Sequence, residues 1–416
     1  MEEGSCSMRN SLSFLFLLIA PLAAQPARVV VENVNDLRAC LKKPAGQPLV
    51  CALSSSGSPY DVSGEPITVR RSDTTIEGAS GPGQDPPILR RADPAMRQII
   101  WVPRTISNVT IRNLQFDGNE AIAPGKEFID VSAEGNHITV VDSYFGNSTY
   151  FCMYIGGPNV TVRDNTFGKL KVGGSIREAP GINAAIKAWG TNATHFNVEN
   201  NKISDYRIAI SITGVPNGSD PQAASVIDHN TVYHRSVYLP DEGGGQIYVA
   251  SSTNVKVTNN SVNGGWAEAK NHDTVHSYGI EIDGNASGVY TGSNELFNCS
   301  ISGMWIGNGS NHVTVENDKI HDNGLNGVQI AGNGRLAPVT DVSIIGVKVN
   351  HNDLHRGPGA PYPTLPRFWG VMIQNLSRNG VCIQNDSDLD QNSKGAVHSD
   401  ISGAYSRAGS CPRPYN

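Results

Sequence analysis

Two carboxylates near the middle of the chain have the spacing of an acid and base pair. Glu281 and Asp283 flank a single apolar residue, so on a β-strand both point to one face, about 6.6–6.8 Å apart at the backbone. Inverting glycosidases hold their two carboxyl groups roughly 6.5–9.5 Å apart. The pair is therefore a candidate for hydrolysis of a glycosidic bond. A strand end followed by a turn explains the same residues without any chemistry.

A second set of residues suits proton abstraction from an acidic sugar. β-Elimination removes the proton α to a uronate carboxylate, and it needs a base and a cation that stabilises the developing enolate. Lys187, Tyr248 and His276 are candidates for the base, and Lys187 and Arg177 are candidates for the cation. Lys187 and Tyr248 are expected two strands apart, about 9.6 Å at the backbone, which leaves room for a sugar between them.

Short repeated strands must position these residues. A pattern of alternating apolar residues, two polar residues and a further apolar residue recurs ten times, beginning with VTIRNLQF at Val109. A second short strand precedes each copy, as in Ile186-Lys187-Ala188. A unit of about 30 residues with such short strands cannot bury its own apolar face, whereas stacked units share one core. The pattern predicts a solenoid of about ten coils.

The outward-facing residues of the preceding strands mix aromatic rings with single charges. Sugar binding uses aromatic faces for the rings and polar groups for the hydroxyls. An ordinary solvated sheet face is the alternative, because aromatic residues favour strands in any case. We predict substrate-binding roles on this face and its adjoining loops for Trp101, Asp130, Tyr154, Trp189, Trp305, Gln329, His272 and Arg235.

Four long connections lead into this face. They span residues 168–185, 233–246, 263–279 and 351–370. Long loops in a compact fold are usually functional or disordered. We expect these four to form one wall of a cleft, which would bring Arg177, Arg235, His272 and His276 towards the substrate.

Asn or Asp occupies one position in seven of the ten repeats. They tolerate the left-handed conformation at bends, and they can stack as ladders of hydrogen bonds along a fibre or solenoid axis. We predict one column that serves both purposes. Its members are Asn113, Asp142, Asp164, Asn200, His229, Asn259, Ser293, Asn317, Gly346 and Asn385.

The ten copies resemble the right-handed parallel β-helix of the pectate-lyase-like superfamily. The resemblance implies an all-β solenoid with an N-terminal capping helix, for which residues 29–43 supply an amphipathic segment. It also implies an active site on the strand face and loops described above. The superfamily contains lyases, hydrolases, epimerases, adhesins and tailspikes. The Asn-Thr-Asp and Gly-His-Gly motifs of polygalacturonases and the Trp-Ile-Asp-His motif of pectate lyases are absent, so no subfamily is assigned.

Domain boundaries follow from the same pattern. Residues 1–24 read as a secretory signal peptide, with an apolar run at 12–20 and a cleavage site near Ala24. Residues 25–98 would form the N-terminal cap and first coils, 99–395 the repeats, and 396–416 the C-terminal cap or tail. Export permits disulfides, and Cys40–Cys51 and Cys382–Cys411 are the pairs that we favour among fifteen connectivities for six cysteines.

Composition limits the partners. The formal net charge is −6 and no basic surplus is present, which argues against a nucleic-acid partner. Beyond the signal peptide no apolar run is long enough to cross a membrane. We expect a secreted monomer without a certain cofactor. Calcium is left open as a ligand, although no 12-residue calcium loop occurs.

These observations predict an enzyme or a binding protein for polysaccharides. A lyase that cleaves an acidic polysaccharide is the first interpretation, since basic residues accompany the aromatic column. An inverting glycoside hydrolase that uses Glu281 and Asp283 is the second. A non-catalytic carbohydrate-binding or surface protein is the third.

Overall fold

The structure is a computed structural model. It describes residues 25–44, 46–81, 83–122, 127–181, 183–234, 244–265, 277–332, 338–352, 369–374, 380–392, 394–400 and 402–413. The predicted signal peptide, residues 1–24, lies outside these ranges. Within them, the chain forms three long parallel sheets that it visits in turn.

The first sheet has twelve strands. They are β4 (Ile67–Thr68), β7 (Gln98–Val102), β10 (Ile129–Ala133), β13 (Phe151–Ile155), β18 (Ala184–Trp189), β21 (Ile208–Thr213), β24 (Gly244–Ala250), β27 (Ser277–Asp283), β30 (Ser302–Gly307), β33 (Asn326–Ala331), β36 (Trp369–Gln374) and β38 (Gly395–Ser399).

The second sheet has fourteen strands. They are β1 (Ala27–Val31), β2 (Leu49–Ser54), β5 (Thr74–Ala79), β8 (Ser107–Arg112), β11 (Asn136–Val141), β14 (Thr161–Arg163), β19 (Asn197–Glu199), β22 (Ser225–Asp228), β25 (Thr253–Thr258), β28 (Ser287–Gly292), β31 (Asn311–Glu316), β34 (Thr340–Ile345), β37 (Val381–Gln384) and β39 (Tyr405–Ala408).

The third sheet has eleven strands. They are β3 (Tyr60–Val62), β6 (Ile88–Arg91), β9 (Gln115–Asp117), β12 (Tyr144–Gly146), β15 (Thr166–Phe167), β20 (Lys202–Ser204), β23 (Thr231–Tyr233), β26 (Ser261–Asn263), β29 (Glu295–Phe297), β32 (Lys319–His321) and β35 (Lys348–Asn350). An antiparallel hairpin, β16 (Lys169–Val172) and β17 (Ser175–Glu178), lies apart from the three sheets, and short 3-10 turns occur at Ser55–Gly57, Glu120–Ile122 and Pro221–Ala223.

One continuous apolar core lies between the sheets. The inward residues of successive coils stack on their own kind, as in the rings of Phe116, Phe145 and Phe167, whose centroids are 4.7 Å apart at each step. Each ring is fully buried. Stacking places like side chains in register because parallel strands pair residue with residue along the axis. The expected solenoid with a shared core is confirmed.

Helix α1 (Val34–Leu41) closes the N-terminal end of the core. Its N-cap is Asn33, whose side chain accepts a hydrogen bond from the backbone N–H of Asp36, which satisfies an otherwise unpaired donor. Leu37 and Leu41 are buried, and the helix contacts β1, β2, β3 and β4. The predicted capping helix is therefore present.

Two disulfides tie down the two ends of the solenoid. Cys40–Cys51 joins α1 to β2, and Cys382–Cys411 joins β37 to the C-terminal segment. Both pairs were predicted. Cys152 and Cys299 are free and buried.

The expected Asn column divides into two columns with different roles. Residues such as Asp164, Asn200 and Asn259 have φ between +53° and +58° and form the bends. The buried ladder consists of their neighbours one residue later, in which each side-chain oxygen accepts from the amide of the preceding coil. Its members are Asn165, Asn201, Asn230, Asn260, Asn294 and Asp318. One column was expected, so the ladder prediction was wrong by one position: a left-handed residue turns the chain and its successor points inward.

Asp318 ends this ladder with a buried carboxylate. It accepts from the Thr291 hydroxyl at 2.7 Å and from the Asn294 backbone at 2.7 Å, and burial raises its pKa to about 7. Because the folded-state pKa exceeds the unfolded value, this carboxyl group costs stability as the pH rises through 7. Asp318→Asn is expected to stabilise the protein at pH 8, by at most about 4 kcal/mol, and to change little at pH 4. Denaturant midpoints of both proteins across this range test it; equal differences at pH 4 and pH 8 would contradict it.

Candidate functional site

The first sheet carries a column of outward residues that matches most of the predicted one. Tyr154 pairs with Lys187, Lys187 with Ser211, and Ser211 with Tyr248. Tyr248 then pairs with Glu281, and Glu281 with Trp305. The expected order of these side chains along the axis is confirmed.

A groove of about 700 Å³ lies over this column. Lys187 lies among its lining residues, and Trp189, 56% exposed, contributes an accessible indole. Three tyrosines, Tyr150, Tyr154 and Tyr248, also line it. The groove therefore combines several aromatic rings with one ammonium group and with the carboxylate of Glu127.

Lys187 is half-buried and has no acidic partner among the described residues. Its Nζ donates to Ser211 Oγ at 2.9 Å and to Thr213 Oγ1 at 2.8 Å, and both acceptors are neutral hydroxyls on β21. Burial lowers the pKa of the ammonium to about 8, because a charged amine loses solvation without gaining a counter-ion. At neutral pH this amine can readily release or accept a proton.

Tyr248 lies two strands away from Lys187 and faces the same groove. Burial, together with the nearby carboxylates Asp283 and Glu281, raises the pKa of its hydroxyl to about 12. The phenol therefore keeps its proton at neutral pH. A group of this kind can donate a proton but is a poor base.

Glu281 and Asp283 form the predicted carboxylate pair on β27. Glu281 accepts a hydrogen bond from the backbone N–H of Gly245 at 2.6 Å. Burial raises the pKa of Glu281 to about 7, and the charge of Asp283 pushes it the same way. Asp283 has a buried Oδ1 without a hydrogen-bond partner among the described residues. Two carboxyl groups thus occupy a site where one of them holds a proton near neutral pH.

Asp130 does not lie on the exposed face, and its predicted position is wrong. The register pairs Ser132 with both Trp101 and Tyr154, so Ser132 occupies the place expected for Asp130. Asp130 is fully buried and pairs with Arg91, which is also fully buried, at 3.2 Å. A shift of two residues preserves the alternation of a strand, so alternation alone could not reveal it.

Two other predicted positions differ from the expectation. Gln329 keeps its place in the column but is only 5% exposed, and its amide bonds to Gln374 and Ser302. Arg177 lies on hairpin β16–β17, which contacts β9 and β12 of the third sheet and does not line the groove. A long connection between two sheets can fold back over either sheet. The length of the connection does not determine which sheet it covers.

Trp101 and Trp305 lie on the column as predicted, at some distance from Lys187. The Trp101 indole donates to Glu134 at 3.1 Å. Trp305 packs against Tyr278, with ring centroids 5.3 Å apart. His272, His276 and Arg235 lie outside the described residues.

Sequence reasoning missed several lining residues, among them Tyr150, Phe151 and Asn183. Tyr150 and Asn183 immediately precede β13 and β18, and Phe151 is the first residue of β13. The adjacent aromatics Tyr150 and Phe151 were the only available signal. These residues lie at the entry of a strand, where alternation no longer applies. The pattern therefore could not predict the direction of their side chains.

The described residues contain no cluster of three or more His, Cys, Asp or Glu side chains that could hold a metal. In the same part of the chain, no helix is long and apolar enough to cross a membrane.

A family model for a right-handed β-helix region matches residues 184–361. The chain folds as a right-handed parallel β-helix. Comparison with curated proteins finds no match. The β-helix is nevertheless similar to many solved structures, all at low sequence identity in the examples that follow.

Three solved structures illustrate this similarity. The Dettilon tailspike protein has a TM-score of 0.57 at 12% identity. The aligned region covers 88% of this chain but only 64% of the tailspike chain. A PL6 alginate lyase in complex with a trisaccharide has a TM-score of 0.52 at 14% identity, and the aligned region covers 93% of this chain and 89% of the lyase chain. DFA-IIIase from Arthrobacter chlorophenolicus A6 in complex with GF2 has a TM-score of 0.51 at 13% identity, and the aligned region covers 92% of this chain and 96% of the DFA-IIIase chain. At these identities the similarity is one of fold.

Proposed function

We propose that the groove binds an acidic polysaccharide and cleaves it by β-elimination. The observation that carries this proposal is the half-buried Lys187 in an aromatic groove, whose amine has only hydroxyl groups as partners among the described residues. A half-buried ammonium with no carboxylate partner in the described part of the chain favours an anionic ligand, and the exposed face of Trp189 suits a sugar ring. The alginate lyase of similar fold, which was solved with a trisaccharide, supports the same substrate class.

Lys187 is the base of this mechanism. With a pKa of about 8, a useful fraction of the amine is neutral at the working pH, as general-base catalysis requires. The neutral Nζ takes the proton α to the uronate carboxylate. The ammonium that forms remains beside the enolate and offsets its charge.

Tyr248 is the acid. It faces the groove from the strand beyond Ser211 and holds its proton firmly, with a pKa of about 12. As the enolate collapses, the bond to the glycosidic oxygen breaks and the Tyr248 hydroxyl protonates the departing oxygen. The products are an unsaturated uronate and a new sugar hydroxyl.

A panel of pectin, alginate and glycosaminoglycan tests the proposal. We expect the purified protein to release a product with the ultraviolet absorbance of an unsaturated uronate from at least one of them. New reducing ends without that absorbance would indicate hydrolysis. Retention on polysaccharide gels with neither product would indicate a binding protein.

The pH dependence of the elimination identifies the role of Lys187. We expect kcat/KM to rise about tenfold per pH unit below 8 and to level off above it, because only the neutral amine accepts a proton. A pH profile of the initial rate of absorbance increase measures it. A rate that instead falls as the pH passes 8 would show that the charged ammonium is required, and that the base lies elsewhere.

Inverting hydrolysis is the second candidate, because Glu281 has a pKa near 7 and Asp283 lies beside it. Glu281→Gln tests the choice between the two. We expect this variant to keep elimination within about tenfold of the wild type, since it retains both Lys187 and Tyr248. A loss of at least about 100-fold, the usual effect of a missing general acid, would move the chemistry to the carboxylate pair.

We also propose that the protein is secreted and monomeric. Its two disulfides support folding in an oxidising compartment. Light scattering of the purified protein measures its mass in solution.

A further inference from the structure

A second pocket, at the N-terminal end of the solenoid, concentrates positive charge. Its volume is about 580 Å³, and its lining includes Lys42, Lys43, Arg70 and Arg71. Lys42 and Lys43 follow α1, while Arg70 and Arg71 lie in the turn between β4 and β5. Four cations in one pocket are unusual in a chain with a net charge of −6.

These cations lack acidic partners among the described residues. None of the four forms an ion pair there. The single carboxylate lining the pocket, Asp73, accepts a hydrogen bond from Asn108 at 3.0 Å. Arg71 is held in place because its Nη1 donates to the Pro44 carbonyl at 2.7 Å and its Nη2 to the Gln47 carbonyl. Lys42, Lys43 and Arg70 are exposed and available to a ligand.

The lining of this pocket differs from that of the groove. It contains prolines, glycine and Ile106 but no aromatic side chain. Recognition in this pocket would depend on charge. Sites that recognise sugar rings instead stack them on aromatic side chains. The cations of the pocket would attract negatively charged groups of a flexible ligand, and this attraction does not require a fixed ligand orientation.

The pocket lies at the turn that follows β4, the first strand of the sheet that carries the groove. Thr68 pairs with Trp101 at the start of the exposed column, and Arg70 follows two residues later. Four strand spacings separate Thr68 from Lys187 along the axis, through Trp101, Ser132 and Tyr154. At about 4.8 Å per strand this is about 19 Å, a distance that a polymer lying along the column would bridge.

We propose that this basic pocket is an anchoring site for the carboxylate groups of an anionic polysaccharide, separate from the groove around Lys187. The substrate class rests on the proposed function. The site needs no reaction, because it holds the polymer by charge alone.

Binding of polygalacturonate to a protein that carries Lys187→Met tests the proposal without turnover. Adding Lys42→Gln, Lys43→Gln and Arg70→Gln is expected to weaken binding about tenfold and to reduce its dependence on salt. A matched control adds Lys202→Gln, Lys348→Gln and Arg407→Gln, which are exposed, form no ion pair among the described residues and change the net charge equally. This control is expected to bind within about twofold of its parent.

Equal weakening by the two triple variants would overturn the proposal, because it would show an effect of net charge alone. No loss in the pocket variant would overturn it as well. Melting temperatures identify a variant that fails to fold, and the single Arg70→Gln change then replaces the triple variant, with a proportionally smaller loss expected. If the wild type makes no unsaturated product yet the pocket variant binds polygalacturonate more weakly than its control, the proposed reaction fails and the anchoring site stands.

Discussion

Lys187→Met is expected to lower kcat/KM for β-elimination by about 10²–10⁴, the usual contribution of a positioned general base. Methionine keeps much of the length and volume of lysine but cannot take a proton. Among the described residues the lysine amine has only Ser211 and Thr213 as partners, so no buried carboxylate there loses a counter-ion when the amine is removed. Initial rates of absorbance increase on the confirmed substrate measure the effect.

The control for this variant is Lys202→Met. Lys202 is exposed on β20 of the third sheet and does not line the groove. We expect wild-type rates from it. If Lys187→Met also kept its full rate while remaining folded, Lys187 would not be the base. A loss confined to KM would leave it a role in binding alone.

Arg91→Met is expected to destabilise the fold by about 3–5 kcal/mol, the range observed when one partner of a buried ion pair is removed. Arg91 and Asp130 are both fully buried. The guanidinium also donates to the carbonyls of Gly118 and Ile129 and to that of Met96, and these acceptors would lose their donors. Chemical denaturation measures the change.

The pH dependence of this variant follows from Asp130. Burial raises the pKa of Asp130 to about 7 even though Arg91 acts in the opposite direction, so without Arg91 the carboxyl group is protonated still more readily. The destabilisation relative to the wild type should grow as the pH rises above 7, because the wild type then ionises Asp130 beside Arg91, whereas the variant must keep this buried carboxyl group protonated. The double variant Arg91→Met with Asp130→Asn should recover stability at pH 8.

The adjacent residue supplies the control. Arg90 pairs with Asp61 at 2.7 Å, but both side chains are well exposed. Arg90→Met is expected to cost less than about 1 kcal/mol, as exposed pairs usually do. Similar losses from Arg90→Met and Arg91→Met would contradict the assignment of the buried pair as the stabilising one.

Most of the fold could be predicted because its determinants are local. Alternation in Ile186-Lys187-Ala188 defines which side chain points outward, and the next coil repeats it in Ile210-Ser211-Ile212. Stacking then aligns equivalent residues at the strand spacing, so the column from Tyr154 to Trp305 follows from spacing alone. The capping helix was predictable because its amphipathic pattern lies within one short segment. The two disulfides were predictable because each joins two cysteines that are close in sequence, at one end of the chain.

The candidate site was predictable only in part. Asp130 was misplaced because a shift of two residues leaves the alternation of a strand unchanged, and only pairing with β7 and β13 reveals the shift. Arg177 was misplaced because the hairpin folds over the third sheet. The buried Asn ladder was assigned one residue too early, because a left-handed bend reverses the direction in which the next side chain points.

The sequence by itself determined the solenoid, the turns and the order of side chains along the exposed column, because alternation and turn preferences act over a few residues. Only the tertiary structure decided which of those side chains are reactive. The pKa of Lys187, near 8, and that of Glu281, near 7, depend on burial and on partners from other coils. Desolvation is a property of the packed assembly, and no short segment carries it.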